Sequence, residues 1–160
     1  MRSRSTLGTV AVLTGALAAT ALVYAPTAGA AVAPGSATAT YDCSPYNTGS
    51  ATLTATHSGT TLTINITTSV TTPIALGADT INATLKLANS TGPVRSFTGK
   101  KNPAIPANGA VKIGPITGTV AVGDKLNSYF AGTALSMVVM GITINCDAVT
   151  SQSPGPFVIS

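Results

Sequence analysis

The chain has no tryptophan, no glutamate, one histidine and two cysteines among its 160 residues. Charged side chains are 8% and aromatics 4% of it, where an average domain carries about 25% charged residues. Each shortage excludes something. One imidazole (His57), two thiols (Cys43, Cys146) and the carboxylates of Asp42, Asp79, Asp124 and Asp147 leave little from which to build a metal site. No basic stripe is interleaved with stacking aromatics, which argues against nucleic acid as a partner. There is no Gly-x-Ser-x-Gly elbow or other nucleophile signature. Histidine-dependent catalysis would have to use His57, which is in phase with Leu53 and Ala55 beside the Ser58-Gly59 turn. It reads as a strand-end residue leaning over the core rim. No catalytic residue, cofactor or metal ligand is therefore assigned, and the chain is expected not to be an enzyme.

What is present begins with an export signal. Met1-Arg2-Ser3-Arg4-Ser5 is a short positive region, residues 7–24 are nearly all apolar or small, and Pro26 precedes the small residues Ala28-Gly29-Ala30. Positive end, apolar middle and small-x-small exit define a secretory signal, with cleavage expected between Ala30 and Ala31. An uncleaved anchor is the alternative, since the apolar stretch approaches the roughly 20 residues that span a bilayer. Its Ala/Gly/Thr-rich composition and clean exit site favour cleavage. Removing Arg2 and Arg4 lowers the formal net charge of +4 by two charges. No later run is long enough to span, because 131–144 is broken by Gly132 and Gly141. The product is expected to be secreted, extracellular or held at the cell surface.

In an exported protein a single cysteine pair reads as a disulfide. Closing a loop of roughly 100 residues between Cys43 and Cys146 would stabilise the fold by about 4 to 5 kcal/mol in the chain-entropy model. The bridge could lie within one sheet or join two. In the first case Asp42 and Asp147 would share a face, repel, and favour a cation such as calcium. In the second they point outward on opposite sides and merely solubilise.

The mature part, about 130 residues, suits one domain. Its dominant pattern is period-two alternation rich in Thr, Val and Ile, the mark of half-buried strands. Ala37, Ala39 and Tyr41 share one strand face, Ala51, Leu53 and Ala55 another, and Leu62, Ile64 and Ile66 a third after the Ser58-Gly59 turn. Residues 31–36 read as a loose leader, 37–150 as the domain and 151–160 as an irregular tail in which Phe157-Val158-Ile159 could pair with an edge. Residues 94–98 read as a short edge strand, and 99–109 as a loop in which Pro103 and Pro106 forbid a central strand. Seven to nine such strands predict an all-β, immunoglobulin-like two-sheet sandwich.

Two surface features stand out. Thr52, Thr54 and Thr56 form one row and Thr61 and Thr63 another. A flat array of this kind could bind ice or polysaccharide, although Thr is also a good strand former for a solvent-facing sheet. Lys100 and Lys101, with Arg95, make a small basic patch that could touch anionic wall polymer. Asn65, Asn82 and Asn89 each head an Asn-x-Ser/Thr triplet, which counts only in a host that glycosylates.

The Ala-rich signal, the Thr40-Tyr41-Asp42-Cys43 strand end, the Gly/Thr/Val strands and the late Cys146 together resemble small secreted actinobacterial β-sandwich proteins of uncharacterised function. The resemblance implies an envelope or extracellular domain and carries over no site. The resulting expectation is a non-enzymatic extracellular module for structure, adhesion or binding, its partner a cell-wall polymer or an extracellular protein. A secreted inhibitor inserting the loop from Lys100 to Gly109 is the alternative, and a hydrolase stands behind both.

Overall fold

Alternating burial runs through the long strands of the computed structural model, which describes residues 31–160. In the segment Thr48–Ser58, Ala51, Leu53 and Ala55 are buried while Thr52, Thr54 and Thr56 are exposed. The expected signal peptide, with Ala30 of its cleavage site, lies outside the described residues. In chain order the strands are β1 (Val32–Ala33), β2 (Ser36–Asp42), β3 (Thr48–Ser58), β4 (Thr61–Thr71), β5 (Ile81–Asn89), β6 (Arg95–Lys100), β7 (Ala110–Thr119), β8 (Lys125–Ser128), β9 (Thr133–Val139), β10 (Ile142–Ala148) and β11 (Phe157–Ile159).

Eight of them form a closed ring in the order β5, β6, β7, β4, β3, β2, β10, β9, with β9 returning to β5. This barrel replaces the expected immunoglobulin-like two-sheet sandwich. Both architectures alternate inward and outward residues, so periodicity does not separate them. The barrel closes because the outer edge of β5 pairs with β9 from Ile81↔Val139 to Leu85↔Leu135, and β2 pairs with β10 at Asp42↔Asp147 and Tyr41↔Ala148. Small inward residues on β2 and β3 (Ala37, Ala39, Ala51 and Ala55) let those strands curl tightly.

Two local expectations change with it. Residues 95–100 are a barrel stave paired on both sides, to β5 and β7, and not an edge. Residues 31–36 are tied down: β1 pairs with β11, and the backbones of Ala31 and Ser160 exchange hydrogen bonds of 3.0 Å. β7 runs through Pro115 by means of a bulge, where Ile64 faces Ile116 but Ile66 faces Ile113. Gly114 makes that possible with φ 119°, since a Cβ there would stand 2.8 Å from both the Ile64 carbonyl and the Asn65 side chain. The expected pairing of Phe157-Val158-Ile159 is present, on β8 and β1.

The two ends of the barrel differ. At the end reached by the starts of β2, β4, β6 and β9, the strands β8, β11 and β1 form an annex that adds Leu126, Phe157 and Ile159, all buried, to the core. Phe97 lies in this half, over Gly118, whose absent Cβ would be 2.7 Å from the ring. The opposite end holds the loops 43–47, 72–80 and 101–109 and the two-residue turn Met140-Gly141. Among the described residues no annex plugs it.

An apolar cavity at the barrel mouth

Small residues meet at this second end. Across the β2–β3 pair, Tyr41 faces Gly49 and Ala39 faces Ala51, and Ala51 in turn faces Thr68 on β4. The short side chain at 51 leaves the interior beside it unfilled, whereas the place of a side chain at 49 is taken by Val70 and Ser69. The result is a half-open cavity of about 350 Å³, within the usual range for small-molecule sites. Its walls are Tyr41, Gly49 and Ala51 from β2 and β3, Val70 and Val111 where β4 and β7 part, and Leu135, Met137, Val139 and Ile144 from the β9–β10 hairpin. Tyr46 stands at the rim, and Pro73 and Leu76 add a wall from the 72–80 loop.

That loop is fixed rather than free. The backbones of Leu76 and Ile105 exchange hydrogen bonds of 2.8 and 2.9 Å, and both side chains are buried. Buried Asn102 joins the two loops. Its Oδ1 accepts from the Thr80 and Ile81 amides at 2.8 Å, while its Nδ2 donates to the carbonyls of Gly77 (2.8 Å) and Pro103 (2.7 Å). The loop expected to insert into a partner, Lys100 to Gly109, is thus held against its neighbour.

The polar groups inside the cavity are mostly spent. The Thr68 hydroxyl reaches the Val70 and Val111 carbonyls, each at 3.1 Å, bridging the place where the ladder breaks. The Thr72 hydroxyl donates to the Ile74 carbonyl at 2.8 Å. The wall residue Tyr41 is 3% exposed, and its phenolic oxygen is buried beyond the cavity surface without a hydrogen-bond partner. Burial raises its pKa to about 12, so it stays a neutral donor across the physiological range. Outside the opening, exposed Tyr46, Ile74, Met140 and Ile142 all belong to elements at this end.

Cys43 borders the cavity and is bonded to Cys146, with Cα atoms 4.0 Å apart. The β2–β10 register makes them direct cross-strand neighbours, so the bridge lies within one sheet, across the barrel seam. Asp42 and Asp147 are consequently register partners on the outer side. Asp42 Oδ1 accepts from the Ser44 hydroxyl (2.7 Å), the Thr48 hydroxyl (3.0 Å) and the Ser44 amide (3.1 Å). The hydroxyl bonds of Ser44 and Thr48 are the main cause holding this carboxyl below its usual range. It caps the 43–47 loop. Among the described residues no group of three or more His, Cys, Asp or Glu side chains converges as a metal site.

The remaining candidates lie elsewhere. Thr52, Thr54, Thr56 and Thr61 are exposed and Thr63 half-buried on the outer barrel surface. Register continues the Thr56↔Thr63 pair through Thr117, Thr98, Thr84, Ser136 and Asn145. This hydroxyl belt curves with the barrel, unlike a flat array, and differs from the apolar band that a membrane barrel presents. No helix among the described residues is long and apolar enough to cross a membrane. Lys101 pairs with Asp79 at 3.1 Å in the open, and Lys100 closes β6 at the mouth end. Arg95 does not join them. It is at the other end of β6, bound to buried Asp124 through Nε (2.8 Å) and Nη2 (3.2 Å). Asn89 also donates to Asp124, at 2.8 Å, so its amide serves the fold. His57 faces Leu62 at the plugged end with neither ring nitrogen hydrogen-bonded, so no Ser-His-Asp relay is assembled around it.

The cavity was not among the residues singled out from sequence. The small residue Ala51 in a Thr-rich strand was its only trace there. Compared with known proteins, the chain matches no family model, no curated protein and no solved structure.

Proposed function

We propose that the mature chain is an exported, non-catalytic binding module that takes a small, mainly apolar molecule into the mouth of its barrel. The observation that carries this reading is the cavity itself: about 350 Å³, apolar-walled, bounded by fixed loops and open at one end. Closed barrels of this strand number commonly fill their interior or hold one small ligand. Leaving such a volume empty forfeits dispersion contacts that a larger side chain at 51 would supply, so an occupant offsets a cost built into the fold. Exposed apolar side chains at this end of the barrel, Tyr46, Ile74, Met140 and Ile142, support entry from this side. The disulfide is consistent with an extracellular setting.

The test is titration of the oxidised protein with N-phenylnaphthylamine, a neutral probe whose fluorescence rises in apolar surroundings. Saturable one-to-one binding is expected, displaced by decanol and weakened at least about tenfold by Ala51→Leu, which pushes added carbons into the space. Unsaturable binding, or binding indifferent to Ala51→Leu in a variant that keeps its fold, would refute the assignment.

A further inference from the structure

The cavity's wall also specifies which chemistry it turns away. We infer that the ligand is an uncharged, hydrocarbon-like molecule, held by its apolar surface with no ionic or side-chain hydrogen-bonded anchor inside the barrel. The inference deepens the binding role proposed above and rests on it.

Three observations carry it. First, among the described residues no lysine, arginine, histidine, aspartate or glutamate lines the cavity. An ion of either sign would enter without a counter-charge, which is strongly unfavourable in an apolar site. Asp42, between the wall residues Tyr41 and Cys43 in the chain, is on the outer side of β2 and accepts from Ser44 and Thr48. Cys43 offers no thiol, because it is bonded to Cys146.

Second, the hydroxyls of the inner wall are already committed. Thr68 reaches the Val70 and Val111 carbonyls, and Thr72 donates to the Ile74 carbonyl. The Tyr41 hydroxyl is sealed behind the cavity surface and meets nothing inside it. The other polar side chains of the lining, Asn47, Ser50 and Thr71, belong to exposed residues. A polar group placed beside them exchanges water for a side chain and gains little.

Third, the volume sets the size. An apolar protein cavity of about 150 Å³ stays dry and takes up benzene. The cavity here, at about 350 Å³, is a little over twice that, so it suits a body of about ten to fourteen carbons, such as two fused rings. Val70, Val111, Leu135 and Val139 present aliphatic walls to it, and the unbranched Met137 adjusts to its shape.

The experiment measures displacement of N-phenylnaphthylamine by naphthalene, 2-naphthol, 2-acetylnaphthalene and 2-naphthoate at neutral pH. The first two differ by a hydroxyl, and the last two, equal in size, by a charge. Naphthalene should bind at least as tightly as 2-naphthol. 2-Acetylnaphthalene should bind at least about tenfold tighter than 2-naphthoate, which alone carries a charge into the site. Val70→Lys places an ammonium at a half-buried wall position and should narrow or reverse that second gap, and Val139→Lys repeats the test from β9. Far-ultraviolet circular dichroism and an intact disulfide check that each variant keeps its fold. Tighter binding of 2-naphthol than of naphthalene would overturn the absence of a polar anchor. An advantage of 2-acetylnaphthalene below about tenfold, or one unchanged in both folded lysine variants, would overturn the uncharged class. Failure of the probe and all four ligands to bind would defeat the underlying binding role instead.

Discussion

Replacing both Cys43 and Cys146 by alanine tests how the barrel is closed. The seam between β2 and β10 has two register pairs, Asp42↔Asp147 and Tyr41↔Ala148, where β3 and β4 share eight. The bridge stands directly beside those pairs and spans a sequence separation of 103. In the chain-entropy model a cross-link of that span removes about 4.7 kcal/mol of unfolded-state freedom. Near the midpoint a domain of this size unfolds with an entropy of about 0.27 kcal/mol/K, so the melting temperature should fall by about 17 °C. A compact unfolded chain would reduce both figures. Thermal and urea unfolding of oxidised wild type, reduced wild type and the double alanine variant supply the comparison, because loop closure predicts that the last two agree. Amide exchange should also accelerate first at Tyr41 and Ala148. A loss under about 1 kcal/mol would refute the entropic account. So would a fall confined to the alanine variant, which would assign the effect to packing around the fully buried Cys146.

Asp124→Asn should cost about 3 kcal/mol in urea unfolding, because it strips the charge from a buried carboxylate and leaves Arg95 unpaired; a change under about 1 kcal/mol would sink that account. Burial pushes the Asp124 pKa up, but Arg95, the Ala121 amide and Asn89 outweigh it and hold the group below its usual 3.8. The folded-state value being the lower one, this stabilisation is complete at neutral pH and is lost as acid titrates the group below about pH 3.8. Urea midpoints between about pH 2 and 6 should therefore fall more steeply in wild type than in Asp124→Asn, and parallel curves would contradict the linkage. Asn102→Ala should cost about 2 to 4 kcal/mol by orphaning the Ile81 amide and its neighbours. It should also speed exchange across 72–80, and protection there as in wild type would show that Leu76 and Ile105 hold the loop alone.

Strand positions were largely readable, because inward residues such as Leu53, Ile64 and Leu85 keep a strict two-residue period and Ser58-Gly59 and Met140-Gly141 punctuate it. Pairing was not. Nothing local to Ile81–Leu85 announces Leu135–Val139 as its neighbour, and that contact is what turns a sandwich into a barrel. Arg95 shows the same limit in the other direction. Counting basic residues groups it with Lys100 and Lys101, but five residues of extended chain separate them by about 17 Å and put them at opposite ends of β6. The partner it finds, Asp124, is 29 residues away.

The cavity was illegible for a different reason: it is made of what three distant segments omit. Tyr41 reads from sequence as one more inward strand residue, and Gly49 and Ala51 as ordinary small residues of a Thr-rich strand. Only the register that sets Ala39 against Ala51, with the β9–β10 hairpin brought round to supply Leu135, Met137 and Ile144, turns that small residue into enclosed volume. A fold selected for stability alone would gain by enlarging residue 51, by an amount on the order of 1 kcal/mol. Retaining that unfilled volume at one end, against a cross-linked seam, is what the proposed binding role requires stability to be given up for.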